Sequence, residues 1–186
     1  MKRLVLSLLG LAAAAACFDF TPTTPTYNVP LTSGQARVGD PLSSTHLQGS
    51  HENPANESQG QGQAILKVSE DLTSVSYKLI ASNIDNVVQA HIHIGSPTVN
   101  GPVVVFLYGV APSGGGRHDG VLSEGTFTAS NLVGPLAGHP LSDLLDEIAA
   151  GNAYVNVHTN DGVAPTNTGP GDLAAGEVRG QIKGKQ

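Results

Sequence analysis

Two histidines one residue apart, His91 and His93, are the feature of this chain that points most directly to chemistry. They stand in Gln89-Ala90-His91-Ile92-His93-Ile94, where apolar and polar residues alternate. In an extended strand, side chains two apart share a face. Ala90, Ile92 and Ile94 then form an aliphatic face, and Gln89, His91 and His93 form the opposite one. The same division recurs in Ala153-Tyr154-Val155-Asn156-Val157-His158-Thr159, which puts Tyr154, Asn156 and His158 opposite Val155 and Val157. It recurs again in Glu177-Val178-Arg179-Gly180-Gln181-Ile182, which puts Glu177, Arg179 and Gln181 opposite Val178 and Ile182. If the three strands are neighbours, their polar faces merge into one patch.

Three imidazoles on adjacent strands can converge on one ion, because neighbouring strands lie about 4.8 Å apart. Imidazole nitrogen suits copper or zinc. His91, His93 and His158 are therefore the candidate metal ligands, with Asn156, Glu177, Arg179 and Glu52 as the surrounding patch. Arg179 argues against a cation unless Glu177 or another carboxylate pairs with it. The same residues also fit a non-enzymatic module whose patch meets a protein or glycan, or a hydrogen-bond network that fixes strand register. Catalysis has less support. Glu177 with His158 makes a generic acid–base pair, no serine stands in a nucleophile-elbow setting, and Gly114 to Gly116 do not follow a phosphate-loop pattern. His46, His51, His118 and His139 are expected in solvated loops or strand ends.

The elements that must carry these residues are mostly strands. Ala64, Leu66 and Val68 alternate with Gln63, Ile65 and Lys67. A turn at Glu70 to Thr73 leads to Val75, Tyr77 and Leu79, as in an antiparallel hairpin. Val87 to Ile94 predicts a third strand. Val103 to Tyr108 is continuously apolar and predicts a strand buried on both faces. Gly120 to Phe127, Ala153 to Thr159 and Glu177 to Lys183 predict further strands, with a Pro/Gly-rich loop over 160–176. One helix is predicted from Leu141, Leu144, Leu145 and Ile148, with Ser142 or a neighbour as its cap and Gly151 at its end. The fold class is mostly β, an antiparallel β-sandwich or Greek-key barrel with one short helix. Without Trp, and with 23 Gly and 12 Pro in 186 residues, the core must be aliphatic and the connections many.

The start of the chain has its own organisation. A basic Met1-Lys2-Arg3 precedes an uncharged run from Leu4 to Ala16, the pattern of a signal peptide over 1–16. The run ends at Ala14-Ala15-Ala16-Cys17, which is similar to a bacterial lipobox although Ala14 stands where Leu is commonest. Cys17 is thus a candidate for lipidation and membrane anchoring; ordinary cleavage is the alternative. It is the only Cys, so no intramolecular disulfide or cysteine zinc site is possible. Residues 17–45, with Thr21-Pro22-Thr23-Thr24-Pro25-Thr26, read as a disordered tether, and 46–186 as the domain. Loss of the leader lowers the basic residues from nine to seven against fifteen acidic ones, so the mature chain is about eight charges negative. That balance, with no Lys/Arg run, excludes nucleic acid as a natural partner.

Four segments together resemble the CHRD domain, the module named after chordin. They are Leu47-Gln48-Gly49-Ser50-His51-Glu52-Asn53-Pro54, then Ala90 to Gly95 with Asn100-Gly101-Pro102-Val103-Val104, then Gly151 to Thr159, and Gly176 to Ile182. They span about Thr45 to Gly184. The sequence departs from the pattern at Ala55, where a second Pro is usual. The resemblance implies an extracytoplasmic module, either membrane-anchored or secreted, and implies no defined reaction. The H-x-H strand is also similar to the copper strand of Cu/Zn superoxide dismutase, without that enzyme's bridging and zinc-loop pattern.

Overall fold

The computed structural model describes residues 41–184, with side chains from Ser44 onward. The leader, Cys17 and most of the expected tether lie outside the described residues. Eight strands follow in order: β1 Pro41–Gln48, β2 Gln61–Val68, β3 Ser74–Asp85, β4 Val87–Ile94, β5 Val103–Tyr108, β6 Arg117–Thr128, β7 Ala153–Thr159 and β8 Val178–Gln181. One helix, α1 Leu141–Ala149, stands between β6 and β7. β1 takes in Pro41 to Thr45, which the sequence assigns to the tether.

All eight strands belong to one antiparallel sheet in the order β5-β4-β7-β8-β1-β2-β3-β6. The sheet curls into a nearly closed barrel. Its two edges, β5 and β6, are joined by side chains rather than by a ladder. The Tyr77 and Ser123 hydroxyls both donate to the Leu107 carbonyl at 2.7 Å. Eight strands leave an interior just wide enough to be filled by side chains. Leu47, Leu66, Leu79, Ile92, Val155, Val157, Val178 and Ile182 fill it, all without solvent exposure. β-Branched residues make up half of β4 and three of the seven residues of β7, which suits a pleated, buried surface.

The predicted turns appear where turn chemistry requires them. β2 and β3 are joined at Ser69–Thr73, where Leu72 has φ of 59° and Asp71 Oδ1 accepts from the Thr73 amide and hydroxyl. The helix buries Leu141, Leu144 and Ile148 into the core and ends at Gly151, whose φ is +76°. Its start differs from expectation. Pro140 is the N-cap, and Ser142 lies inside the helix and caps nothing. Asp143 sits in the first turn, favourable to the helix dipole, and its Oδ2 lies 2.8 Å from His139 Nδ1.

Two expectations are corrected. β5 is not buried on both faces, since it is an edge strand and Phe106 is 52% exposed. A continuous apolar run cannot distinguish a central strand from an edge whose outer side partly covers a neighbour. Ile94 is only partly buried, because it lies at the end of β4.

Ile92 is fully buried and packs within the barrel. Replacing it by Ala should destabilise the domain by about 2–5 kcal/mol, read as a lowered midpoint in urea unfolding. A change below about 1 kcal/mol would show that the interior is not close-packed there.

Candidate functional site

β4, β7 and β8 are adjacent in the sheet, so the three polar faces do merge. Register places His91 opposite Asn156, His93 opposite Tyr154 and Asn156 opposite Arg179. The merged face is the outer surface of the barrel. Outer faces of such sheets are commonly solvated, yet every residue of β7 is buried. Loops 49–60, 95–102 and 160–177 contribute the groups that cover it.

His91, His93 and His158 converge. One ring nitrogen from each lies within 4.8 Å of the others, and all three residues are buried. His158 Nδ1 donates to the Ala174 carbonyl at 3.0 Å, and His93 Nδ1 donates to the Gly101 carbonyl at 2.8 Å. A carbonyl only accepts, so these bonds fix both tautomers and leave both Nε2 atoms as lone pairs. Such an outer-shell carbonyl is the usual partner of a metal-ligating imidazole. His91 Nδ1 lies 3.2 Å from His158 Nε2. That spacing suits a hydrogen bond, and it also suits two ligands of one ion, which stand about 3.3 Å apart when bonds to the metal are near 2.05 Å. His91 Nε2, His93 Nε2 and Asn156 Oδ1 are buried without a hydrogen-bond partner, and so are Glu52 Oε1, Asp172 Oδ1 and Gln181 Oε1 outside the cluster.

Burial holds the rings neutral. It pulls His91 down to about 3 and His158 to about 4, with further lowering from the neighbouring imidazoles. It also lowers His93, against the opposing effects of the Gly101 carbonyl and the Asn156 side chain. Neutral imidazole is the form that binds a metal.

The surrounding residues are arranged differently from expectation. Arg179 does not pair with Glu177. Its guanidinium lies 3.4 Å from the centre of the Tyr154 ring and donates to Asn100 Oδ1 and to the carbonyls of Ser96 and Val99. Tyr154 in turn stacks on His93, with ring centres 4.8 Å apart and planes 9° from parallel. Glu177 is committed elsewhere. It accepts from the Ser58 and Thr159 hydroxyls and from the Gly171 amide. Its place at the mouth of loop 160–176, one residue before β8, turns it from the histidines.

Glu52 does enter the electrostatics of the patch. Burial raises it to about 7, while the charge of Arg179 and the Asn53 amide pull it down. Its carboxylate lies over the α-carbon of Gly176, where an added Cβ would come within 2.6 Å of Oε1. The cleft nearest to it has a volume of about 600 Å³ and is lined by Ser44, His46, His51, Glu52, Arg179 and Gln181 among others. None of the three histidines lines that cleft. His46, His51 and His139 are exposed as expected, although His46 lies within β1, whereas His118 is half-buried with its Nε2 out of contact with water.

Several working residues escape a reading of strand parity. Gly101 is one. An added Cβ would fall 1.5 Å from the Ile94 carbonyl oxygen, so only glycine lets the chain lie there. From that position its carbonyl holds His93 and its amide donates to the Tyr154 hydroxyl at 3.1 Å. Phe106 is another, its ring edge-on to His91 with centres 4.8 Å apart. The Asn100-Gly101-Pro102 turn signal marks the first; nothing local marks the second.

The sequence model of the family described as CHRD domain matches residues 43–182. No curated protein matches the chain significantly, and neither does any solved structure.

The neutral histidines make a testable link between pH and stability. In the unfolded chain each histidine titrates near 6.5, whereas His91 and His158 in the fold do so near 3 and 4. Their contribution is complete above about pH 6.5 and is lost as the pH falls toward 4 and below, because the unfolded state takes up the protons. Glu52 works in the opposite direction: its contribution is complete below about 4.5 and fades as the pH rises through 7. Comparison with His158→Gln isolates the histidine effect. The urea midpoint of the metal-free wild type should fall further between pH 7 and pH 5 than that of the variant. Equal falls would mean that His158 is not held neutral.

Proposed function

The chain belongs to the CHRD domain family, and on that premise we propose that it is an exported protein that binds one copper or zinc ion through His91, His93 and His158. One observation carries the reading. Three neutral imidazoles converge on a buried face, and two of them already have their second nitrogen tied to a backbone carbonyl. The fold supplies three nitrogen donors, and the fourth position falls to Asn156 Oδ1 or to solvent. An ion between His91 Nδ1 and His158 Nε2 would take the place of the proton between them, which would move to His91 Nε2, and would give His93 Nε2 a partner. The chain's own part is to hold the rings in tautomer and orientation and to keep most water away.

The leader supports export, and the Ala14-Ala15-Ala16-Cys17 junction supports a lipid anchor. On this reading the domain works on the far side of the cytoplasmic membrane, held by lipid on Cys17 and spaced by the Thr/Pro-rich tether. A second reading, a protein- or glycan-binding module, is favoured by the polar cleft beside Glu52 and Arg179. It is compatible with the metal site, since the histidines do not line that cleft.

Metal analysis of the mature domain, purified without a His tag, should give about one copper or zinc per chain. His91→Ala should weaken binding well beyond the roughly 10–100-fold cost of losing an outer-shell partner. Equal uptake by wild type and variant would leave the cluster structural and favour the binding-module reading. For the anchor, mass spectrometry of membrane-fraction protein should find an N-terminal Cys17 carrying acyl chains. A soluble product with Cys17 unmodified or removed would exclude it.

A further inference from the structure

Resting on that reading, we infer that the histidine site selects monovalent copper over divalent zinc and copper. The selection comes from charge. The converging group contains three neutral imidazoles and no carboxylate or thiolate among the described residues. Asn156, which register places beside His91, is also neutral. Nothing that touches the ion therefore cancels its charge. A buried ion costs solvation free energy that grows with the square of its charge, so a divalent ion bears about four times the penalty of a monovalent one.

Arg179 adds a second discrimination. It is 1% exposed, and the groups it donates to, Asn100 and the Ser96 and Val99 carbonyls, are neutral. Glu177, the carboxylate nearest to it in sequence, is spent on Ser58, Thr159 and Gly171. Arg179 pairs in register with Asn156, and Asn156 with His91, so the backbones are two strands apart and the cation, reaching over Tyr154 toward His93, lies within about 10 Å of the site. Tyr154 connects the two, with Arg179 against its ring and His93 stacked on it. At that distance and an effective dielectric constant near 20, each further unit of charge on the ion weakens binding by roughly a factor of ten to twenty. Glu52, the other buried carboxylate near Arg179, offsets part of this.

The test is a set of affinities on the purified mature domain at pH 8. Monovalent copper is measured anaerobically against a chromophoric chelator, and divalent copper and zinc by competition in the same buffer. Monovalent copper should bind more tightly than zinc by more than the roughly tenfold that Arg179 alone supplies, and the bound copper should be correspondingly hard to oxidise. Arg179→Gln should narrow the gap between monovalent and divalent ions by about tenfold, while Arg179→Lys, which keeps the charge, should retain it. If the Arg179 variants do not fold, Glu52→Gln gives the same information with opposite sign and should widen the gap. Zinc or divalent copper binding as tightly as monovalent copper, or a gap insensitive to these charges, would overturn the selectivity and leave the metal site standing. Failure of every ion to bind would overturn the site itself.

Discussion

A guanidinium buried to 1% exposure, with only neutral groups accepting its hydrogen bonds, is the constraint around which the outer face of this barrel is arranged. Taking such a charge out of water costs several kcal/mol unless its donors are satisfied. Arg179 meets that cost with two carbonyls, an amide oxygen and the face of Tyr154. Each acceptor lies in loop 95–102, so satisfying the charge also fixes the loop. The loop then determines the chemistry. Gly101 follows directly after Asn100, and its carbonyl sets the tautomer of His93. Asn100 also donates to the Asn53 carbonyl and Asn53 to the Thr98 carbonyl, which ties this loop to loop 49–60.

Two buried carboxylates divide the remaining work. Glu177 accepts from two hydroxyls and one amide, and this gathers Ser58, Thr159 and Gly171 around the start of β8. The loop so anchored presents the Ala174 carbonyl to His158. Glu52 has a buried oxygen with no partner and is pushed toward neutrality by burial. The contrast follows from the donors each one meets. A buried carboxylate short of donors is driven to take up a proton. His93 and His158 are thus each oriented by a loop carbonyl, and each of those loops is pinned by a different buried residue, Arg179 or Glu177.

Strand parity explains how much of this was legible in the sequence. Once residues 89–94 and 153–159 form strands, His91 must share a side with His93, and His158 with Asn156. The aliphatic residues between them must then fill the barrel. The helix was legible for the same reason, since Leu141, Leu144 and Ile148 recur at its period. What escaped was whatever depends on loop conformation. The partners of Arg179 are backbone carbonyls, which every sequence possesses and none advertises. Glu177 has the right parity for the patch but sits where the chain enters β8, and its partners come from residues 58, 159 and 171. The exposure of β5 depends on sheet order, which hydropathy does not encode. The merging of the two histidine strands needed sheet order as well, and there parity pointed to the arrangement that the fold has.

The outer face bears on whether the cluster is structural. A barrel of this size gains its stability from its interior, and its outer residues can remain in water at no cost. Here three imidazoles, an amide, a guanidinium and two carboxylates have been withdrawn from water beneath three loops. Replacing buried polar groups by well-packed apolar ones is commonly neutral or stabilising. The arrangement is therefore not the one that stability alone favours. The network of Glu177 and its donors closes upon itself. Around the histidines it stays open at His91 Nε2, His93 Nε2 and Asn156 Oδ1, while the Nδ1 atoms of His93 and His158 are engaged by loop carbonyls. Glu52 Oε1, Asp172 Oδ1 and Gln181 Oε1 are open as well, so open atoms by themselves do not separate a metal site from a structural cluster. What favours ligands held for an ion is the convergence of one nitrogen from each of three neutral rings.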